Sequence, residues 1–325
     1  MENGQPVPGS LYVCAPDKEA PAFFAVAFAI SAAGHIWQCH RYKTWKLVGL
    51  HPFCAVVFTL GYATREYESF NYIYNDQNFI IYILSQIFIY ICPPLLELAI
   101  YHVLGRIFYY VPHFAPLAPS RILSTFGALM ALVEVINALG VAFSQNPSST
   151  PSKHQLIKHL TIAALAIQLG VVAIFALLAI TFYRRCANAN IRAKTFTAPL
   201  ITLYVSMSFI LIRCIYCLVE FLGNTTVDLG NFDFLKYLSP ILRYEWFFYV
   251  FEATLMLANS LLWNIWNPGR YLPRDHHVYL ARDGTEVRGQ DLPDDRSILA
   301  KLGHVVTFGI FFHRKKEINP GEAQR

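Results

Sequence analysis

Seven apolar runs dominate this chain, at about residues 21–38, 47–64, 78–103, 122–143, 157–183, 196–222 and 241–266. Each is long enough to cross a hydrocarbon core of roughly 30 Å as a helix. Lipid offers the backbone no hydrogen-bond partner, so each segment must satisfy its own N–H and C=O groups. The spacing therefore predicts an all-α fold: a polytopic membrane protein of seven transmembrane helices. Composition agrees, with 55% hydrophobic and 14% charged residues where soluble domains carry about 25% charged.

The runs divide the chain into an N-terminal segment, 1–20, a seven-helix transmembrane domain, 21–266, and a tail, 267–325. Residues 1–20 have no basic start and no apolar stretch, so the first run reads as a retained span rather than a cleaved leader. Alternate loops differ in charge. Arg41, Lys43 and Lys46, then Arg106 and Arg121, then Arg184, Arg185, Arg192 and Lys194 fall on one side. The other side has Lys18, Arg65, Lys153, Lys158 and Lys236. The positive-inside rule then puts the N terminus outside and the C terminus in the cytosol. Asn224-Thr-Thr lies on the outer side by this count and is a glycosylation candidate. The net charge of +5 resides mainly in short loops and tail, so it implies no nucleic-acid partner.

Phe209–Phe221, FILIRCIYCLVEF, carries Arg213 within apolar sequence. A charge near a bilayer centre costs roughly 3 kcal/mol on insertion scales, so it normally faces the bundle interior and a partner. Counted from the outer ends at ~1.5 Å per residue, Arg213 and Glu134 lie ~13 Å deep, and Gln168 and Glu252 ~16 Å. These residues form an expected polar layer in which Glu134 and Glu252 are candidate counter-ions for Arg213, with Asn137 one turn after Glu134. Glu97 and His35 fall deeper. Glu220, Arg243 and Glu245 form an outer polar cluster. The layer reads either as a pocket for the head group of an amphipathic molecule or as a structural ion pair that fixes helix register.

The third run contains Cys92-Pro93-Pro94, which removes backbone donors and predicts a kink. In the tail, Val278–Leu280 and Thr285–Val287 flank Asp283-Gly284, a hairpin signal. Ser297–Phe312, followed by His313-Arg314-Lys315-Lys316, predicts a helix lying on the cytosolic leaflet; an eighth span is the alternative. Seven Cys, four of them in apolar runs, suit buried packing rather than a disulfide framework. The His are scattered over loops, tail and different depths, so no metal site is expected. Without a Walker A run, dinucleotide fingerprint or nucleophile elbow, no cofactor and no enzyme activity are expected.

Arg213-Cys-Ile-Tyr-Cys-Leu-Val-Glu220, Tyr244-Glu-Trp-Phe-Phe-Tyr-Val-Phe-Glu252 and Asn267-Pro-Gly-Arg270 resemble the fungal RTA-like family of seven-span membrane proteins. Its members are described as lipid-translocating exporters and sterol-analogue resistance proteins. The resemblance runs from about Tyr12 to the tail hairpin and takes in Gly61-Tyr62 with Arg65, Pro93, Tyr101, Gly105-Arg106, Glu134, Asn137 and Gln168. The chain departs from the family at Phe58, Val141, Cys217 and Asn267, where the family often has Glu, Gln, Arg and His. What the resemblance implies is handling of membrane lipids or amphipathic compounds, such as a sphingoid base or sterol-like molecule; with no ATP-site motif in the sequence, the expected function is their binding and translocation without ATP. The plasma membrane is the expected location. A seven-span receptor or sensor for a lipidic ligand is the alternative.

Overall fold

The computed structural model describes residues 7, 9–12, 15–116, 125–130, 132–133, 136, 151–189, 194–222, 241, 244–273, 278–280 and 285–288, with side chains placed for all of these except 151–158 and 194. They are mostly helical. In chain order the helices are α1 (Ala20–Tyr42), the short α2 (Trp45–Val48), α3 (Leu50–Phe70), α4 (Asp76–Tyr110), α5 (125–130), α6 (Pro151–Asn188) and α7 (Lys194–Leu222). A last helix, α8, is α-helical over Trp246–Phe248, widens to a π-helix over Tyr249–Thr254, and is α-helical again over Leu255–Ile265.

Among the described residues five helices are long and apolar enough to cross a membrane: Ala20–Tyr42, Asp76–Tyr110, His159–Asn188, Thr195–Leu222 and Trp246–Arg270. This is an all-α polytopic membrane protein. The second expected run folds as α3, which reaches Phe70 and so takes in Arg65, Glu66 and Glu68. Most of the fourth run, with Glu134 and Asn137, lies outside the described residues, as does the tail helix expected at 297–312.

The pairs α1 with α3, α3 with α4 and α6 with α7 run antiparallel, as contacts between them show. Phe28 of α1 stacks on Phe58 and Tyr62 of α3, while His35 lies beside His51, nearer the start of α3. Cys54 and Cys92 each donate through Sγ to the other's backbone carbonyl, tying α3 to α4. Tyr101 and Phe108 of α4 meet Phe175 and Phe182 of α6, two helices that run in the same direction. Phe182 in turn meets Phe196 of α7 edge-on. Lipid gives no hydrophobic drive to such contacts, so close packing must hold them. Gly61 is one place where the approach is tightest: a Cβ there would stand 2.8 Å from Ile89 Cγ1 and 3.1 Å from Phe88 Cβ.

Helix α4 continues through Pro93 and Pro94, both buried. Among the described residues Cys39, Cys54, Cys92, Cys186, Cys214 and Cys217 are free and buried; Cys54, Cys92, Cys214 and Cys217 are the four that stand in apolar runs. The tail hairpin pairs Val278–Leu280 (β1) with Glu286–Arg288 (β2), antiparallel, in the register Leu280↔Glu286. That register sets the second strand one residue later than the sequence suggests. Both strands touch α4: Tyr110 Oη donates to Glu286 at 2.8 Å, and Arg106 donates to the Val278 carbonyl at 3.4 Å.

Candidate functional site

Arg213 and Glu252 face each other across α7 and α8, with Arg213 Nε 2.7 Å from the Glu252 carboxylate. Both are buried, Glu252 completely. The sequence around each is apolar, so a bare charge would be costly and the two ions must meet or neutralise. Cys217 Sγ, one turn beyond Arg213, lies 4.0 Å from Glu252 Oε2. Glu252 sits within the π-helical turn of α8, where Thr254 Oγ1 donates to the Tyr249 carbonyl at 2.8 Å, five residues back. Such turns are rare and concentrate at functional sites. Spacing alone gives no warning of one.

Gln168 of α6 does not touch this pair; its Nε2 donates to Glu97 of α4. Tyr101 Oη donates to the same carboxylate at 3.2 Å, from the next turn of α4. Glu97 is fully buried. The depth count separates Glu97 from Gln168, whereas the fold brings them together. Glu134 and Asn137 lie outside the described residues.

The outer cluster is built differently from the sequence grouping. Glu245 pairs with Arg65 of α3, Nη2 to Oε1 2.7 Å, and its Oε2 accepts the Asp17 backbone N–H at 2.7 Å. Tyr249 Oη donates to Glu245 at 3.1 Å and accepts from Arg65 Nε at 3.3 Å. The Arg65 guanidinium lies over the rings of Tyr12, 4.7 Å away, and Phe248, 4.2 Å away. Tyr12 Oη donates to Glu68, which also accepts from Ser85 Oγ at 3.1 Å. The N-terminal segment is thus fastened to this end of the bundle. Glu220 is half-buried and makes no hydrogen bond or ion pair among the described residues. Arg243 and the glycosylation candidate Asn224 lie outside them.

A further polar network fills the opposite end and eludes the depth count. Ser31 and Ser260 share a hydrogen bond of 2.7 Å, and His35 Nε2 lies 3.2 Å from Ser260 Oγ. Asn264 Nδ2 donates to Ser31 Oγ at 2.7 Å, Gln38 donates to the Asn264 carbonyl at 2.7 Å, and Asn267 donates to Gln38 at 2.8 Å. Gly34 permits the approach, because a Cβ there would stand 2.8 Å from Asn264 Oδ1. On α7, Ser206 donates to Asn259 at 2.5 Å and accepts from Trp263 Nε1 at 2.9 Å. His51 lies against Trp263, ring centroids 4.8 Å apart. The available signal was the four-residue spacing of Ser31 with His35 and of Ser260 with Asn264, which puts small and polar groups on matching helix faces. Among the described residues no group of three or more His, Cys, Asp or Glu is placed to hold a metal ion.

Two apolar grooves indent the seam between α7 and α8. One, of about 300 Å³, is lined by Ile212, Ile215, Tyr216, Val219, Ile241, Phe247 and Phe251. The other, of about 210 Å³, is lined from Ala198 to Val205 on α7 and by Leu262 and Trp266. Neither contains a charged side chain.

A helical membrane bundle with ion pairs buried in its interior is the class this architecture defines. The family described as RTA1-like protein matches residues 52–275, and the chain belongs to it. It is 48% identical over 98% of its length to a protein of Leptosphaeria maculans named lipid-translocating exporter-like protein RTA1. A protein of the same name from Ajellomyces capsulatus is 29% identical over 73% of this chain and 75% of its own length. A protein of Emericella nidulans named probable lipid transporter atnI is 23% identical over 83% of this chain and 71% of its own length. The match spans 63% of the length of the Leptosphaeria relative. No solved structure matches the chain.

Proposed function

We propose that this chain binds lipids or amphipathic compounds within its helical bundle and moves them across the bilayer without ATP. The observation that carries the reading is the Arg213–Glu252 pair, buried between two membrane-spanning helices at a π-helical turn. An ion pair there costs desolvation that an apolar contact would avoid, and intramembrane ionisable groups mark substrate paths more often than they serve packing alone. The names of the three relatives point to the same class of cargo. A cationic head group would sit against Glu252, and an anionic one against Arg213. Glu134 and Asn137 complete the proposed polar layer, with Gln168 held beside it on Glu97, and the proposed activity is transport rather than catalysis.

The accompanying topology has seven spans, the N terminus outside, the tail in the cytosol and Asn224 exposed for glycosylation. The plasma membrane is the proposed location, and sphingoid bases and sterol-like compounds the first cargo to try. The test is uptake and release of labelled sphingoid base and sterol analogue in proteoliposomes, wild type against Arg213→Ala, with thermal unfolding as the folding control. Movement in wild type that is lost in a folded Arg213→Ala protein supports the reading. Saturable binding without movement would favour a receptor instead.

A further inference from the structure

Along α7, the exposed residues Ile201, Val205, Ile212, Ile215 and Val219 recur at intervals of four, seven, three and four. That spacing lines them up on one face of the helix. Both grooves open on this stripe, one on each side of its midpoint. The larger extends from Ile212 to Val219, ~11 Å along the helix axis, which is most of the ~15 Å that one leaflet contributes to a hydrocarbon core. Val205 and Ile212, the facing ends of the two grooves, are separated by another ~11 Å. The grooves therefore occupy opposite halves of the same seam.

The wall of the larger groove is aromatic. Tyr216 stacks on Phe251 with ring centroids 5.4 Å apart and planes at 14°. The next residues in sequence, Cys217 and Glu252, touch at 4.0 Å, and Glu252 holds Arg213. One layer of rings thus separates an apolar groove open to lipid from the buried charges. Phe251 belongs to the π-helical turn, the one stretch of α8 whose hydrogen bonding departs from that of a regular α-helix. Glu220 stands one turn beyond Tyr216 on α7, half-buried, where a carboxylate attracts a polar or cationic group at the membrane surface.

We infer that the α7–α8 seam is a binding site for the hydrocarbon chain of a membrane amphiphile, with one groove serving each leaflet and, in the larger groove, the head group held beside the Tyr216–Phe251 wall. This rests on the lipid-handling reading and gives that reading a place on the molecule. A hydrocarbon chain is the occupant because the linings are apolar, the surrounding phase is hydrocarbon, and the polar groups that would receive a head group lie beyond the ring layer. A partner helix is the competing occupant, but it would cover the stripe evenly, with no reason for the larger indentation to reach the level of the ion pair.

The experiment uses the full chain in phosphatidylcholine vesicles doped with a phosphatidylcholine probe bearing a diazirine on one acyl chain. Photolabelled residues are mapped by mass spectrometry. Phe23, Val26 and Ile30 of α1, each more than half exposed, report ordinary lipid contact. We expect the groove residues to be labelled severalfold more per exposed residue than this α1 face. Val219→Trp and Val205→Trp fill one groove each, and each should cause a severalfold loss of labelling in its own groove alone. Val219→Ala, which enlarges the groove, should retain the label. Even labelling over α1 and the seam, or labelling insensitive to both tryptophans, overturns the inference. Transport of labelled sphingoid base, followed in parallel, separates the two claims: if wild type moves none while the seam is labelled selectively, the transport reading fails and the chain site stands. If wild type moves it and the tryptophan variants lose neither label nor rate, the site fails and transport stands.

Discussion

Arg65 and Glu245, 180 residues apart in sequence, close to 2.7 Å at the end of the bundle where the N-terminal segment lies. The guanidinium also lies over the rings of Tyr12 and Phe248. Planarity makes that possible: a guanidinium can lie against a ring while its edge donates to a carboxylate, which an ammonium cannot do in the same way.

Arg65→Ala should therefore destabilise the protein by about 3 kcal/mol, because it leaves a nearly buried carboxylate without its cation. Arg65→Lys should recover only part of this loss. Thermal unfolding in nanodiscs reads both. Full recovery by lysine would mean that charge alone matters and that the two ring contacts contribute nothing.

How far the sequence discloses this arrangement depends on the kind of signal each residue leaves. Long apolar runs are a one-dimensional property, so the helices and their order are legible. Arg213 and Glu252 are legible as partners because each is a charge in an apolar run and a counter-ion is obligatory. Arg65 is not, since it stands just beyond the apolar run and passes for a loop cation. It is the extension of α3 to Phe70 that buries it. Gln168 and Glu97 are misplaced relative to each other by counting depth along straight helices, because the count carries no information on tilt or offset between α4 and α6. The π-helical turn that holds Glu252 has no composition of its own, so no pattern in the sequence announces it.

The α3–α4 contact yields a second expectation. A Cβ at Gly61 would meet Ile89 Cγ1 at 2.8 Å and the Ile89 backbone nitrogen at 3.3 Å. The side-chain atom can shift, but the backbone nitrogen moves only if α4 moves with it. Gly61→Ala should cost about 1 kcal/mol and Gly61→Leu about 3, the range for overpacking a close contact. Equal unfolding midpoints for Gly61→Leu and wild type would show that the helices separate freely at this point.

Gly34 offers a sharper contrast, because what a Cβ would meet there is the Asn264 amide oxygen. That side chain donates to both Ser31 Oγ and the Ser31 carbonyl, at 2.7 and 3.1 Å. Gly34→Val should displace it and loosen α1 from α8, whereas Ser31→Ala removes the hydroxyl bonded to Asn264 and Ser260 and leaves the carbonyl bond. Loss of ~0.6 kcal/mol is typical of a single interhelical hydrogen bond in a membrane protein. Ser31→Ala should fall near twice that value and Gly34→Val well above it. Amide hydrogen exchange on α1 should rise in the valine variant; unchanged exchange would mean that the amide finds another position at no cost.

The Arg213–Glu252 pair separates stability from function. Arg213→Ala and Glu252→Ala should each destabilise the protein by about 3 kcal/mol, since each leaves an unpartnered charge deep between α7 and α8. The double variant Arg213→Met, Glu252→Leu removes both charges and fills the space with apolar side chains, a replacement that is often neutral or stabilising. Thermal unfolding of the double variant should therefore return close to the wild-type midpoint. Transport should not return with it if the head group passes along these charges. A double variant that folds normally and still moves labelled sphingoid base at the wild-type rate would make the pair a register-fixing contact, and the head-group route would have to be sought at Glu97 and Gln168 instead.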